Sequence, residues 1–139
     1  MSQEFRGLTS EERAALESGL SLASRLADAA PPLTAAHVQD LYDTLSSQYP
    51  EYGEGIIAAG LAFGELLAQK VPLEWVRVKD DFVEETVLAI PDLKIFCSPV
   101  SMIQKRVRES ARVSITDLCN AMASELQRMA DSGEYDSRP

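Results

Sequence analysis

A glycine-bearing apolar segment held between Pro50 and Pro72 constrains this chain more than any other feature. Residues 55–64 read GIIAAGLAFG, ten residues without a charge. The spacing predicts a helix over residues 51–70. Ile56, Gly60, Phe63 and Leu67 share one face of it, and Ile57, Leu61, Gly64 and Ala68 share the adjacent one. An apolar surface that wide belongs to a helix covered on most sides. Four of the chain's seven glycines, Gly53, Gly55, Gly60 and Gly64, lie in this segment. Glycine in a helix interior costs about 1 kcal/mol relative to alanine. Close approach by a neighbouring element is therefore expected at Gly60 and Gly64. A phosphate-cradling glycine loop is the rival, but that needs a preceding strand and a basic partner.

The rest of the chain arranges itself around this helix. A first helix is expected over residues 10–29, with Thr9 at its N-cap and Glu12 closing a capping box. A second spans residues 35–48 behind Thr34, with Val38, Leu41, Tyr42 and Leu45 as its buried stripe. After Pro72 the period changes to two. Residues 73–79, 85–90 and 93–97 read as strands joined by short turns, which implies an antiparallel meander. In the first of these, Trp75 and Arg77 point to one side, Val76 and Val78 to the other. Ser98-Pro99 starts a fourth helix. Ser114 and Asp117 start a fifth, whose stripe is Leu118, Cys119, Met122, Leu126 and Met129. The class is α+β: three helices, a three-stranded antiparallel meander and two more helices, in one domain over residues 1–131. Residues 132–139 are expected to be a disordered tail.

Composition removes several function classes. Twenty-two acids against thirteen bases give 139 residues a formal charge of −9. Phosphate recognition needs clustered cations, so neither nucleic acid nor an anionic membrane is an expected partner. The ten-residue apolar run is about half of what a membrane span needs. The polar first residues are not a secretory signal, so a cytoplasmic location is expected. Cys97 and Cys119 then read as buried thiols rather than a disulfide. A single histidine, His37, and two distant cysteines exclude the common zinc motifs. No cofactor is expected.

The segments GLAFGELLAQ (60–69), LEWVRVKDDF (73–82) and FCSPVSMIQKRV (96–107) resemble a bacterial family catalogued as a domain of unknown function, number 3806, over residues 60–107. The family pattern has an FGE helix, a Trp-Val strand followed by an acid, and a Phe-x-Pro turn into a Met-Ile-x-Lys-Arg-Val helix. This chain departs from it with Phe82-Val83, where the family tends to an aromatic-glycine pair. The resemblance implies a bacterial source and a small α+β module, but no reaction.

Four candidate sites stand out. Lys105, Arg106, Arg108 and Arg112 against Glu109 give the fourth helix region a charge of +3, leaving −12 on the remainder. The cations suit docking of an acidic partner, but equally the C-terminal end of a helix dipole. Asp80, Asp81, Glu84 and Glu85 form an acidic run. Asp80 and Asp81 are weak metal candidates, since the run lacks the ligand alternation of a calcium loop and more simply makes a solvated hairpin. Glu65, beside a small-residue helix face, calls for a cationic partner such as Arg77 or Arg106. Trp75 is either core or an exposed interaction anchor.

The leading expectation is a non-enzymatic binding or adaptor module with a protein partner. One form of it is an immunity-like protein that blocks a basic toxin, steered by charge. The alternative is a small-ligand binder or enzyme. Its pocket would lie between helix 51–70 and the sheet, with Glu65, Arg77, Asp80 and Asp81 as polar groups. A homodimer with Gly60 and Gly64 facing a mate is a third expectation.

Overall fold

The computed structural model describes residues 3–138. Met1, Ser2 and Pro139, which belong to the expectations about a leader and a tail, lie outside the described residues. The element order is β1 (Glu4–Arg6), α1 (Ser10–Ala27), α2 (Ala35–Gln48), α3 (Gly53–Ala68), β2 (Glu74–Lys79), β3 (Glu84–Ala89), β4 (Phe96–Cys97), α4 (Pro99–Arg108) and α5 (Ile115–Ser132). The class is α+β, with five helices among the described residues.

The sheet has four antiparallel strands in the order β1-β2-β3-β4, not three. The additional strand is β1, which pairs Glu4–Arg6 with residues 77–79 of β2. Three residues are too short to display a period of two, so pairing alone defines it. The last strand is shorter than expected, because Asp92 takes a positive φ of 67° and turns the chain. Leu93 bridges to Ser137 instead of joining β4.

Local signals explain the helix starts. Thr9 and Glu12 make the reciprocal capping box of α1. In α2 the third-position partner of Thr34 is His37, whose Nδ1 accepts from the Thr34 amide at 3.1 Å. Ser114 Oγ accepts from the Asp117 amide at α5. The α1 helix stops at Asp28, in the left-handed region, just before Pro31 and Pro32.

The α3 helix occupies the centre, and eleven of its residues are buried, Gly60 and Gly64 among them. A Cβ on Gly60 would lie 2.6 Å from Val100 Cα, at the start of α4. On Gly64 it would lie 2.6 Å from Trp75 Cη2. Close approach within the chain thus accounts for both glycines, rather than a dimer mate.

The register puts Trp75, Arg77, Thr86 and Leu88 on the sheet face toward the helices. Val76, Val78, Val87 and Ala89 form a second small cluster on the other face. Phe5 from β1 and Phe96 from β4 reach across the valines, their rings edge to face at 5.8 Å. The expected tail is tied down at this side of the sheet. Asp136 O accepts from the Lys94 amide and the Arg138 amide donates to Asp92 O. The Arg138 guanidinium donates to Leu93 O, Ile90 O and Glu74, and stands 5.1 Å over the Phe5 ring. Residues 136–138 therefore differ from the disorder that their polar composition suggests. One guanidinium supplies the anchoring that a polar sequence lacks.

Candidate functional site

A polar cleft of about 370 Å³ opens between α1, α3, α4 and the strands β2 and β3. Its charged wall grows from a conflict in the sheet. The β1–β2 register places Arg6 directly opposite Arg77, and like charges facing across strands repel. Glu12, from the first turn of α1, and Glu84, from β3, resolve the repulsion. Arg6 donates to both Glu12 oxygens, at 2.7 and 2.9 Å, and to Glu84 at 2.8 Å. Arg77 Nη1 donates to Thr86 Oγ1 at 3.1 Å.

The electrostatics follow from these bonds. The Arg6 guanidinium and the Thr9 amide hold the Glu12 carboxyl down at about 2. At neutral pH Glu12 is therefore an acceptor and not a proton donor. Arg6 is raised by the same carboxylates. Arg77 Nε lies 3.2 Å from Glu12 Oε2, yet off the line of its N–H. That nitrogen is buried and has no hydrogen-bond acceptor. Across the cleft stand Ser98, Ser101 and Gln104 of the α4 start, and Leu16, Ile57 and Leu61 supply apolar wall.

Arg77 is legible in the sequence as a polar group of this cleft, but most of its company is not. Glu12 was legible only as a helix cap, and Glu84 only as part of a solvated acidic run. The one available signal was an arginine in mid-strand on the Trp75 side, which must find acceptors on something packed above it.

The other expected site residues are dispersed. Glu65 does not pair with a cation. Its Oε2 accepts from Trp75 Nε1 at 3.2 Å, because Arg77 is committed to Glu12 and Thr86, and Arg106 donates to Met102 O. Trp75 is partly buried against the main core. Asp80 Oδ1 accepts from the amides of Phe82 and Val83 at the hairpin tip, which lowers its carboxyl below the ordinary range. Asp81 is exposed beside it, and Phe82 is 83% exposed. Lys105 and Arg108 are exposed in the last turn of α4, away from the cleft lining. Among the described residues no three His, Cys, Asp or Glu side chains come together to hold a metal ion. Cys97 and Cys119 are free and buried. Burial pushes the Cys97 thiol up to about 12 and raises Cys119 as well. No helix among the described residues is long and apolar enough to cross a membrane.

The family model described as "Domain of unknown function (DUF3806)" matches residues 42–118, more than half of the chain. The chain belongs to this family. The match takes in the end of α2, all of α3, β2 to β4, α4 and the start of α5, beyond the 60–107 stretch that carries the resemblance. The DUF3806 region thus contains Arg77, Glu84, Thr86 and the α4 wall of the cleft, while Glu12 and Arg6 precede it. A crystal structure from Bacteroides thetaiotaomicron VPI-5482 is similar over 88% of this chain, at 15% identity and a TM-score of 0.70. That likeness shows the fold. The chain spans 47% of the length of that structure. None of the curated proteins matches the chain.

Proposed function

We propose that the protein is a non-enzymatic binding module whose polar cleft receives an uncharged hydrogen-bonding group of a protein partner, such as a peptide carbonyl or amide. The observation that carries this reading is the cleft itself, where the hydroxyls of Thr86, Ser98 and Ser101 and the Gln104 amide gather beside the apolar side chains of Leu16, Ile57 and Leu61. The neighbouring carboxylates of Glu12 and Glu84 disfavour an anionic ligand. Serine, threonine and glutamine side chains with an apolar floor suit a neutral polar group. The −9 charge of the chain favours encounter with a basic protein.

A second reading keeps the same cleft but gives it a free small molecule. Its size favours this, since about 370 Å³ falls within the range of small-molecule sites.

The test is a ¹⁵N NMR titration of the Arg77 Nε–H resonance with N-acetyl amino-acid amides. A saturable shift in the wild type, lost in Ser101→Trp, which fills the mouth of the cleft, is the expected result. A wild-type resonance unmoved at millimolar amide would overturn the reading. Native mass spectrometry of the purified protein separates the two forms: a retained small molecule favours the second.

A further inference from the structure

A second concavity, of about 360 Å³, lies between the end of α1, the α2 helix and the α2–α3 turn. Leu41 and Leu45 form its floor, Leu26, Tyr49 and Tyr52 its walls, and Asp40 lies along it. None of these residues lines the polar cleft. Leu26, Tyr49 and Tyr52 are 40%, 55% and 38% exposed, so three large apolar side chains converge on one groove and stay open to solvent. Scattered exposed apolar residues need no explanation, whereas these three share one concave site with the apolar floor of Leu41 and Leu45.

The backbone builds this arrangement. Tyr49 caps the C-terminus of α2 and Tyr52 the N-terminus of α3, with Pro50 between them. Gly55 lets the Tyr52 ring settle on α3: a Cβ there would come within 2.7 Å of Tyr52 Cδ2 and 3.1 Å of Leu45 Cδ2. The glycine thus keeps the aromatic wall in place.

Charge selects the occupant. Residues 26–69 contain Asp28, Asp40, Asp43, Glu51, Glu54 and Glu65 and no lysine or arginine. Asp40 lines the groove itself, Asp28, Glu51 and Glu54 lie on the bounding cap of α1, the turn and the first turn of α3, and Asp43 is turned away toward Gln39. Arg25, one residue before Leu26, is the nearest cation in sequence. An anionic membrane or a nucleic acid would be repelled here. A lysine or arginine gains twice, from the carboxylates and from the faces of the two tyrosines.

We propose that this groove docks a basic segment of a partner protein. An apolar side chain of the segment sits on Leu41 and Leu45 between the tyrosines, and flanking lysines or arginines face Asp40 and the acidic chain pieces that bound the groove. The surface is independent of the polar cleft and stands or falls without it.

Fluorescence anisotropy with a labelled peptide carrying one leucine flanked by lysines and arginines tests the proposal. Binding should weaken with salt, roughly tenfold on replacing the leucine by serine and roughly tenfold in Asp40→Lys. Asp81→Lys, a charge reversal at the exposed hairpin tip, controls for net charge and should have a much smaller effect. Amide shifts of the wild type on peptide addition should concentrate at residues 26 and 40–55, which locates the site without relying on a variant's folding. No binding at low salt, equal weakening by Asp40→Lys and Asp81→Lys, or shifts concentrated elsewhere would each overturn it.

Discussion

The Trp75 indole fills the space where Gly64 has no side chain, with Cη2 and Cζ2 standing 2.6 and 2.8 Å from where a Cβ would lie. From that seat the same indole donates its N–H to Glu65, the next residue of α3. The apolar body and the polar tip of one tryptophan are thus both satisfied by two adjacent residues on the central helix.

Alanine at Gly64 should therefore destabilise the protein despite its better helix propensity. Overpacking costs about 1–3 kcal/mol, against about 1 kcal/mol gained in propensity. Gly60→Ala should cost more than Gly64→Ala. Its obstacle is the α4 backbone at Val100, which cannot rotate away as a side chain can. Urea denaturation of the two variants checks both the sign and the order.

Glu65→Gln should leave the melting temperature almost unchanged, because a glutamine carbonyl still accepts from the indole. Glu65→Ala should lose about 1 kcal/mol, the usual worth of one hydrogen bond. It should also alter the tryptophan emission, which the Gln variant should preserve. A large loss in Glu65→Gln would mean that the negative charge itself matters, as an ion pair would require.

Acid should weaken the α1–sheet junction in a defined window. Glu12 is held at about 2 in the fold, against an ordinary 4.5. Its folded-state value is depressed, so its contribution is complete above about 4.5 and disappears as the pH falls toward 2. Stability measured against pH should fall through that window in the wild type and more shallowly in Glu12→Gln. Parallel curves for the two proteins would contradict the Arg6–Glu12 assignment.

The loop between α4 and α5 hangs on two side chains of α2. Tyr42 donates to Ala111 O at 2.7 Å, and Gln39 donates to Val113 O while accepting from the Ile115 amide. Tyr42→Phe should cost about 1 kcal/mol by leaving that carbonyl without its partner. Gln39→Ala should speed hydrogen exchange at the Ile115 amide, with little change at the centre of α3.

Much of the fold was legible along the chain, because its causes are local. Thr9, Thr34 and Ser114 mark helix starts through bonds that reach only three residues. The apolar faces of α3 announce a buried helix whatever covers it. The alternation through Trp75, Val76, Arg77 and Val78 divides a strand between two faces. The first strand is not legible along the chain, because Glu4–Arg6 is too short to have a period and is a strand only by pairing with β2.

The sites were less legible, because their causes are distant in sequence. The composition determined a strongly acidic chain, and the spacing of its apolar residues an α+β class with a glycine-bearing central helix. Only the tertiary structure decided that Glu12 and Glu84 meet Arg6 and Arg77, that Glu65 serves Trp75 rather than a cation, and that Leu26 joins Tyr49 and Tyr52 in one groove. Helix caps and periodicity depend on neighbours within a turn, which a sequence displays directly. The charge partners and groove walls depend on how the helices and the sheet stack, and the close approaches that seat α3, against α1 at Gly19, α4 at Gly60 and Trp75 at Gly64, are each made with a neighbour written elsewhere in the chain.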